Sequence, residues 1–156
     1  MLSRLFPPSG ETRYYGVRAA LWLLGLLIAV KVAMSVNSLL NTAAVAGGVD
    51  GIPLNSYGPA AARTVLLFFA LWALGHLLVS LTALVALIRY RAFVPLAYLL
   101  LLVEHGGRGL IARSYGTLRV AGSVPFYINL GLLALLALGL TLSLLARKGA
   151  VATSAQ

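Results

Sequence analysis

The sequence predicts an all-α integral membrane protein: a single bundle of four transmembrane helices that occupies the whole of residues 1–156. Composition is the first reason, because 61% of the residues are hydrophobic and only 10% are charged, whereas a soluble domain carries about 25% charged residues. A water-soluble fold of this length could not bury so much apolar surface. The second reason is that the apolar residues form four runs, each about as long as the roughly 20 residues that a helix needs to cross the hydrocarbon core: 17–40, 61–88, 93–112 and 125–146.

The first predicted helix covers residues 17–40, and Lys31 lies deep within it. Three polar residues follow this lysine at spacings of four, seven and eleven residues: Ser35, Ser38 and Thr42. Because these spacings fall on one face of an α-helix, they predict a polar face that points into the bundle.

Residues 43–59 form the longest predicted loop, which contains the turn-forming pairs Asp50-Gly51 and Gly58-Pro59. The loop is longer than two adjacent helices need, so an ordered cap over the bundle and a flexible connector are both consistent with it. Ala44-Val45-Ala46 has the small-residue form of a signal-peptidase site. However, the preceding apolar run is long and contains a lysine, so we predict that the first helix is retained.

The second and third predicted helices are joined by a very short connection. Residues 104–109 of the third helix read Glu-His-Gly-Gly-Arg-Gly, which places three glycines inside an apolar stretch. If the helix continues through them, Glu104 and Arg108 lie on one face and can pair. If it breaks at Gly106-Gly107, protein or water must cover the freed backbone groups, because lipid cannot. The sequence leaves both alternatives open.

The fourth predicted helix, 125–146, is the plainest of the four, and Asn129 lies at the outer level of this helix. The two predicted hairpins do not resemble each other in sequence. The inverted-repeat signature of many transporters is therefore absent.

The basic residues predict the orientation. If all four helices cross, seven basic residues lie on the side of both termini and four on the opposite side, and an excess of positive charge favours the cytoplasmic side. We therefore predict an inner (plasma) membrane protein with both termini in the cytoplasm and with the loop 43–59 on the outer side. The first group is Arg4, Arg13, Arg18, Arg89, Arg91, Arg147 and Lys148, and the second is Arg63, Arg108, Arg113 and Arg119.

Lys31, His76 and Glu104 are the ionisable residues that lie deep in the predicted helices. Counted from the cytoplasmic helix ends at about 1.5 Å per residue, their depths agree within about 5 Å. An unpaired charge at this depth is costly, so we expect each residue to face the bundle interior. Three interpretations are open. The first is a proton-relay or substrate site in which Lys31 pairs with Glu104 and His76 titrates; the second is an ion pair that only fixes helix register; the third is snorkelling toward the lipid surface.

Further polar residues converge on the outer half of the predicted bundle, whereas the inner half is almost entirely Leu, Ala and Val. This asymmetry predicts a polar pocket that opens away from the cytoplasm. Its predicted binding residues are Lys31, Ser35, Ser38, His76, Glu104, His105, Arg108 and Asn129.

Several chemistries are disfavoured by the residues present. The chain has no cysteine, which excludes disulfides, iron–sulfur clusters and thiolate metal sites. The motifs of zinc proteases, serine hydrolases and phosphate-binding loops are absent, so we predict neither an enzyme nor a metal site. The basic residues punctuate apolar runs and form no stripe, which argues against nucleic acid as a partner. No cofactor is expected, although His76 and His105 on adjacent helices have the residue type that ligates a b-type haem.

The predicted function is that of an accessory subunit or assembly partner of a larger membrane complex, or of a homo-oligomer in the bilayer. The lack of a catalytic motif and the wide lateral surface of four short helices favour it. The first alternative is a small proton-coupled transporter in which Glu104 alternates between substrate and proton. It would act as a dimer, because four helices enclose little volume. The second alternative is a haem-binding electron-transfer subunit that uses His76 and His105.

Overall fold

The computed structural model describes residues 14–115 and 124–145 of the chain. Four long helices make up most of it, and no strand occurs within those ranges. They are α1 (Arg18–Leu40), α2 (Pro59–Arg89), α3 (Val94–Ser114) and α4 (Val124–Leu144). All four are long and apolar enough to cross a membrane. The prediction of an all-α fold with four candidate membrane spans is therefore confirmed.

Every helix end lies within two residues of its predicted position. The predicted tails and the segment before α4, residues 1–13, 116–123 and 146–156, lie outside the described residues. The same holds for five of the basic residues on which the predicted orientation depends: Arg4, Arg13, Arg119, Arg147 and Lys148.

The connection between α2 and α3 folds these helices into an antiparallel hairpin. Arg91–Phe93 forms a 3-10 turn, and the Phe93 amide donates to the Tyr90 carbonyl at 2.9 Å. Pro95 follows in the first turn of α3, where proline costs no hydrogen bond because first-turn amides have no partner within the helix. We call this end of the bundle the hairpin end, and the opposite end, which carries the α1–α2 connection, the loop end.

The helices pack in chain order around one core, and α4 closes the bundle against α1. At the hairpin end the Val17 amide donates to the Leu142 carbonyl at 3.2 Å, which joins the start of α1 to the end of α4. The core fills the hairpin half and the middle of the bundle with apolar side chains that include Leu24, Leu101 and Leu136. Leucines, valines and aromatic residues are exposed on the outward faces, which is the surface that lipid chains solvate well.

Tyr98 connects three helices at one level of this core. Its side chain is fully buried, and its hydroxyl donates to the Ala20 carbonyl of α1 at 2.7 Å. Its ring lies directly against Gly139 of α4, where an added Cβ would overlap the ring atoms. Glycine at this position therefore makes room for the tyrosine. We call Tyr98, Ala20 and Gly139 the tyrosine layer.

Helix α3 is continuous from Val94 to Ser114, so the alternative of a break at Gly106-Gly107 is wrong. Each helical glycine costs about 1 kcal/mol relative to alanine, but an open backbone within an apolar layer would cost more. Two contacts support the helix here. Glu104 and Arg108 pair one turn apart, and Gly106 faces the Leu133 side chain of α4 closely enough that an added Cβ would touch it at 3.5 Å.

Residues 42–58 form an ordered cap at the loop end. Of the two alternatives for this segment, an ordered cap and a flexible connector, the structure has the first. This segment consists of three short helical turns: Thr42–Ala44, Val45–Val49 and Leu54–Ser56. Ala46 is fully buried, and its carbonyl accepts from the Ile52 amide at 2.9 Å. The chain reverses at Gly51, whose φ of +70° is one that glycine adopts without strain. We call residues 42–58 the cap.

Candidate functional site

Three helices bring Lys31, His76 and Glu104 into mutual contact. Lys31 Nζ lies 3.2 Å from Glu104 Oε2, and His76 Nδ1 lies 2.9 Å from Glu104 Oε1. The third contact joins Lys31 Nζ and His76 Nε2 at 3.4 Å. Lys31 is 1% exposed, so its ammonium group lies inside the bundle and does not snorkel toward lipid. We call these three residues the polar triad.

The proton positions in the polar triad follow from which atoms are able to donate. An ammonium group has only donors, so His76 Nε2 accepts from Lys31 and the ring proton is assigned to Nδ1. Nδ1 then donates to Glu104 Oε1 while Lys31 donates to Glu104 Oε2, which suits an ionised carboxylate. In this assignment the imidazole is neutral and the two opposite charges are paired, as burial requires.

Arg108 brings a second cation to the carboxylate. Its Nε lies 3.4 Å from Glu104 Oε1, one helical turn away, and its guanidinium carbon lies 4.5 Å from the centroid of the Trp72 ring. The Trp72 ring stacks on the His76 ring, with 6.0 Å between centroids and 16° between planes. A cation–π contact of this kind contributes on the order of 1–2 kcal/mol when it is shielded from water. The indole therefore helps to hold both the imidazole and the guanidinium in place.

A cavity of about 100 Å³ lies beside the polar triad in the loop half of the bundle. All four helices and the cap contribute to its wall. Seven of the eight residues that the sequence predicts for a polar pocket line it: Lys31, Ser35, Ser38, His76, His105, Arg108 and Asn129. The eighth, Glu104, contacts three of these seven through the polar triad and Arg108. The eight residues are thus gathered around one cavity.

Two polar side chains of the cavity wall donate to carbonyls of their own helices. Ser35 Oγ donates to the Lys31 carbonyl at 2.8 Å, and Asn129 Nδ2 donates to the Pro125 carbonyl at 2.6 Å. A hydroxyl or amide oxygen keeps its acceptor lone pairs when the donor of the same group is used. Ser35 therefore presents an acceptor, whereas the Asn129 amide keeps both its oxygen acceptor and a second N–H donor.

His105 has one ring nitrogen paired and one without a partner. Nε2 lies 3.1 Å from the Asn129 carbonyl. Since a carbonyl only accepts, Nε2 carries the proton and Nδ1 of the neutral ring is an acceptor. Within residues 14–115 and 124–145, Nδ1 has no hydrogen-bond partner, although the residue is only 6% exposed. Unpaired polar atoms are rare in protein interiors, and a buried acceptor beside a cavity is ordinarily satisfied by a water molecule or by a bound molecule.

The haem hypothesis stays a prediction, and two features of this geometry bear on it. Both ring nitrogens of His76 are engaged, one by Lys31 and one by Glu104, so iron ligation would require the polar triad to open. The cavity of about 100 Å³ is also well below the roughly 300 Å³ at the lower end of ligand pockets. In the part of the chain that the structure describes, no group of three His, Asp or Glu side chains is placed to hold a metal ion.

Trp72 and Asp50 also line the cavity, and the sequence analysis did not predict either of them. Trp72 precedes His76 by four residues, so helical periodicity contains the signal that both side chains share one face. Asp50 belongs to the cap. No periodicity predicts the path of such a segment over the bundle, so the sequence holds no comparable signal for it.

Chemically, the site combines two cations, a carboxylate that they share, a second carboxylate on the cap (Asp50) and the His105 nitrogen that has no partner among the described residues. These groups surround a small cavity. This set suits the binding of a small polar solute and the exchange of a proton. The chain matches no family model, no curated protein and no solved structure.

Proposed function

We propose that the chain is a multi-pass membrane protein that binds a small polar solute in the cavity beside the polar triad, as the first step of proton-coupled transport. One observation carries the proposal: Lys31, His76 and Arg108 all contact Glu104 and all line the cavity. An ion pair that only fixes helix register has no need of a cavity at its side. Ionisable groups within membrane spans are expensive and usually mark ion or substrate pathways.

Glu104 is the proposed link between the solute and the proton. It accepts from Lys31 and His76 and pairs with Arg108. When a proton neutralises its carboxylate, Lys31 loses the counter-charge that lies 3.2 Å away. The site then carries one more positive charge, which favours an anionic group in the cavity. Loss of the proton restores the ion pairs and favours release of the solute. Because binding free energies are linked, the solute must strengthen proton binding as much as the proton strengthens solute binding.

The proposed direction of access follows from the charges at the helix ends. The excess of basic residues on the side of the termini favours a cytoplasmic hairpin end, so the cavity in the loop half would receive its solute from outside. The continuous α3 leaves no broken-helix gate, so we assign the opening movement to the cap and to shifts between whole helices. Four helices leave little room for a path within one chain, and we propose a dimer as the active form.

Proteoliposomes with a trapped pH-sensitive dye test this function. Short carboxylates, amines and sugars are added outside in turn, and one class is expected to carry protons inward. Glu104→Gln is expected to abolish that proton movement while the far-ultraviolet spectrum stays helical, because an amide cannot exchange the proton. Glu11→Gln makes the same chemical change outside the described residues and is the matched control. Vesicles that behave like protein-free vesicles with every solute would contradict proton-coupled transport.

The accessory-subunit role stays a prediction. It draws on the wide apolar surface of the helices, where Phe68, Leu78 and Val103 are among the exposed side chains. Such a surface suits lipid and a partner helix equally. Purification in a mild detergent followed by mass spectrometry separates the two: a larger membrane protein recovered in stoichiometric amount supports the accessory role, and a chain recovered alone or as a homodimer contradicts it.

A further inference from the structure

We infer that the cavity beside the polar triad holds a short chain of water molecules that carries protons from the cap to Lys31, and that Lys31 passes them to Glu104. This inference rests on the proton exchange proposed above for Glu104 and adds the path by which the proton arrives. Three features of the site support it: the hydrogen bonds of the polar triad, the spacing of polar residues along α1, and the size of the cavity.

Lys31 is the member of the polar triad through which a proton enters. Both ring nitrogens of His76 are engaged, and Glu104 is not among the described residues that line the cavity. Lys31 does line it. Its ammonium group has three N–H donors and uses one on His76 and one on Glu104. The third N–H is therefore left for a partner in the cavity.

The proposed transfer takes place in two steps at the Lys31 nitrogen. In the first, the N–H bond on the side of Glu104 breaks and an O–H bond forms at Oε2, which lies 3.2 Å from the nitrogen. In the second, the neutral amine turns about its Cε–Nζ bond and takes a proton from the nearest water. Each water then regains a proton from the next one toward the cap. A solute that enters the cavity displaces this water, so the proton reaches Glu104 before the solute binds.

Two serines continue the polar path from Lys31 toward the cap. Ser35 and Ser38 follow on the same face of α1, and both line the cavity. From Lys31 to Ser38 the helix rises about 10 Å. Ser35 Oγ keeps its acceptor lone pairs, since its own donor is bonded to the Lys31 carbonyl. The cap residues Val45 and Val49 line the cavity beyond this path.

The size of the cavity matches the length of this path. Its volume of about 100 Å³ corresponds to about three water molecules at roughly 30 Å³ each. Three waters between two wall groups make four hydrogen bonds, which span about 11 Å at about 2.8 Å per bond. Ala73, Ile128 and Leu132 also line the cavity. Because their side chains offer no polar atoms, the waters beside them bond to one another and form a chain.

His105 anchors the water chain and acts as a positioning residue. The ring lines the cavity, and its buried Nδ1 is an acceptor that has no partner within residues 14–115 and 124–145. A water that donates to Nδ1 keeps its second proton and its oxygen lone pairs for its neighbours in the chain. The imidazole thus orients this water and stays neutral itself.

Water-edited solid-state NMR of the full chain in lipid bilayers tests the water chain without any solute. The chain has two histidines and two lysines, so selective ¹⁵N labelling gives few signals, and Lys148→Gln assigns the lysine pair. Magnetisation from water protons is expected to reach His105 Nδ1 and Lys31 Nζ before it reaches the ring of His76, which is bonded to protein groups on both sides. Transfer to His105 or Lys31 that is no faster than transfer to His76 would overturn the inference.

Filling the cavity tests whether the proton uses this water. Ser35→Leu is expected to remove the early transfer to Lys31 and to abolish proton movement in the vesicle assay. Thr82→Leu is the matched control, because Thr82 also donates to the carbonyl four residues back but is exposed on α2. If leucine prevents folding, the smaller Ser35→Val is expected to reduce both signals in part. Proton movement at the wild-type rate in either folded Ser35 variant would overturn the path.

Lys31→Arg tests the transfer from Lys31 to Glu104. Arginine keeps the positive charge but does not release a proton at ordinary pH, so proton movement is expected to stop while the far-ultraviolet spectrum stays helical. A lysine that only held Glu104 in place would be replaced by arginine without this loss. Continued proton movement in the arginine variant would therefore overturn the role of Lys31.

A chemical rescue gives the same test if arginine is too large for the site. The chain has no cysteine, so Lys31→Cys introduces a single thiol that is alkylated in the unfolded chain before reconstitution. Bromoethylamine restores an ammonium group with its protons, whereas bromoethyltrimethylammonium restores the charge alone. Proton movement is expected to return with the first reagent only. Its return with both reagents would overturn the transfer through Lys31.

The NMR and vesicle experiments fail independently. Early water transfer to Lys31 without proton movement for any solute would support the water chain and contradict proton-coupled transport. Proton movement in vesicles with late water transfer to Lys31 would support transport and overturn the water path.

Discussion

The bundle joins α1 to α3 at two levels, and the two connections differ in kind. In the tyrosine layer, a neutral hydroxyl on Tyr98 donates to the Ala20 carbonyl at 2.7 Å, and apolar core surrounds it. In the polar triad, Lys31 meets Glu104 at 3.2 Å, and a cavity lies beside the contact. The first connection has one proton arrangement. The second has several, because each of its three groups is able to gain or lose a proton.

On the proposed function, this difference separates stability from solute binding along the axis of the bundle. A neutral hydrogen bond in a packed layer stabilises the fold at any ordinary pH and offers nothing to a solute. A buried ion pair contributes little net stability, since desolvation offsets much of its attraction, but it responds to any charge that enters the site. On the proposed function, the hairpin half therefore fixes the helix positions and the loop half changes its contacts when a solute binds.

The largest expected effect on stability comes from substitutions in the tyrosine layer. Tyr98→Ala is expected to lower the free energy of unfolding by about 3–5 kcal/mol, as for other buried aromatic residues. Tyr98→Phe is expected to cost about 1 kcal/mol, the value of the lost hydrogen bond. Unfolding in mixed micelles by a denaturing detergent measures both. The exposed Tyr90 gives the control, since Tyr90→Ala is expected to stay within about 0.5 kcal/mol of the wild type. Similar losses for the two alanine variants would contradict a stabilising role of this layer.

The next largest effect on stability is expected when the ion pair of the polar triad is removed. Lys31→Met is expected to cost about 2 kcal/mol of stability, because Glu104 loses a charged hydrogen bond but keeps His76 and Arg108 as partners. The double variant Lys31→Met/Glu104→Gln is expected to cost less than the sum of its single changes, by about 1 kcal/mol. The same unfolding assay completes this double-mutant cycle. Strict additivity would mean that the two side chains do not interact energetically.

A smaller effect is expected from two glycines of α4 that have different surroundings. An added Cβ at Gly139 would overlap the Tyr98 ring, whereas one at Gly131 would meet nothing within 4 Å. Gly139→Ala is therefore expected to destabilise the protein by about 1–3 kcal/mol through overpacking. Gly131→Ala is expected to stabilise it by up to about 1 kcal/mol through helix propensity. Equal effects at the two sites, read from thermal unfolding, would show that the tyrosine layer tolerates expansion.

The smallest expected effect on stability occurs only at high pH. Tyr14, which precedes α1 at the hairpin end, donates to the Val17 carbonyl at 3.1 Å, and burial raises the pKa of its hydroxyl from 10.0 to about 12. Because the unfolded chain releases this proton first, the contribution of Tyr14 to stability is complete below pH 10 and is lost as the pH rises through 12. Stability measured between these values is expected to fall less steeply in Tyr14→Phe than in the wild type. Parallel curves would contradict this assignment.

Much of the fold could be predicted from the sequence, because membrane spans obey one strong rule: an apolar run long enough to cross. That rule gives the ends of all four helices within two residues. Helix geometry adds the depths of Lys31, His76 and Glu104, and charged groups at one depth in a bundle have reason to meet. The polar face of α1 could also be predicted from the sequence, and Ser35 and Ser38 on that face are both buried.

The rest depends on long-range packing that no local pattern encodes. Gly106 and Gly107 lower helix propensity, and only the contacts of α3 with its neighbours decide that the helix continues. Asp50 lines the cavity because the cap folds back over the bundle. That path depends on how the buried residues of the cap pack, and the turn-forming residues of the cap do not predict it. Likewise, the orphaned Nδ1 of His105 depends on the distance to Asn129, a residue on another helix.

The unequal lengths of α1 and α2 have a consequence for the membrane around the bundle. At about 1.5 Å per residue α2 is about 46 Å long and α1 about 34 Å, against a hydrocarbon core of about 30 Å. Measured from the level of the polar triad, α2 extends about 12 Å farther than α1 at the loop end, and the Thr42–Ala44 turn of the cap packs against this extension. A thicker bilayer would draw the extension into the hydrocarbon together with the cap. Lipid chain length is therefore expected to shift how often the cap opens.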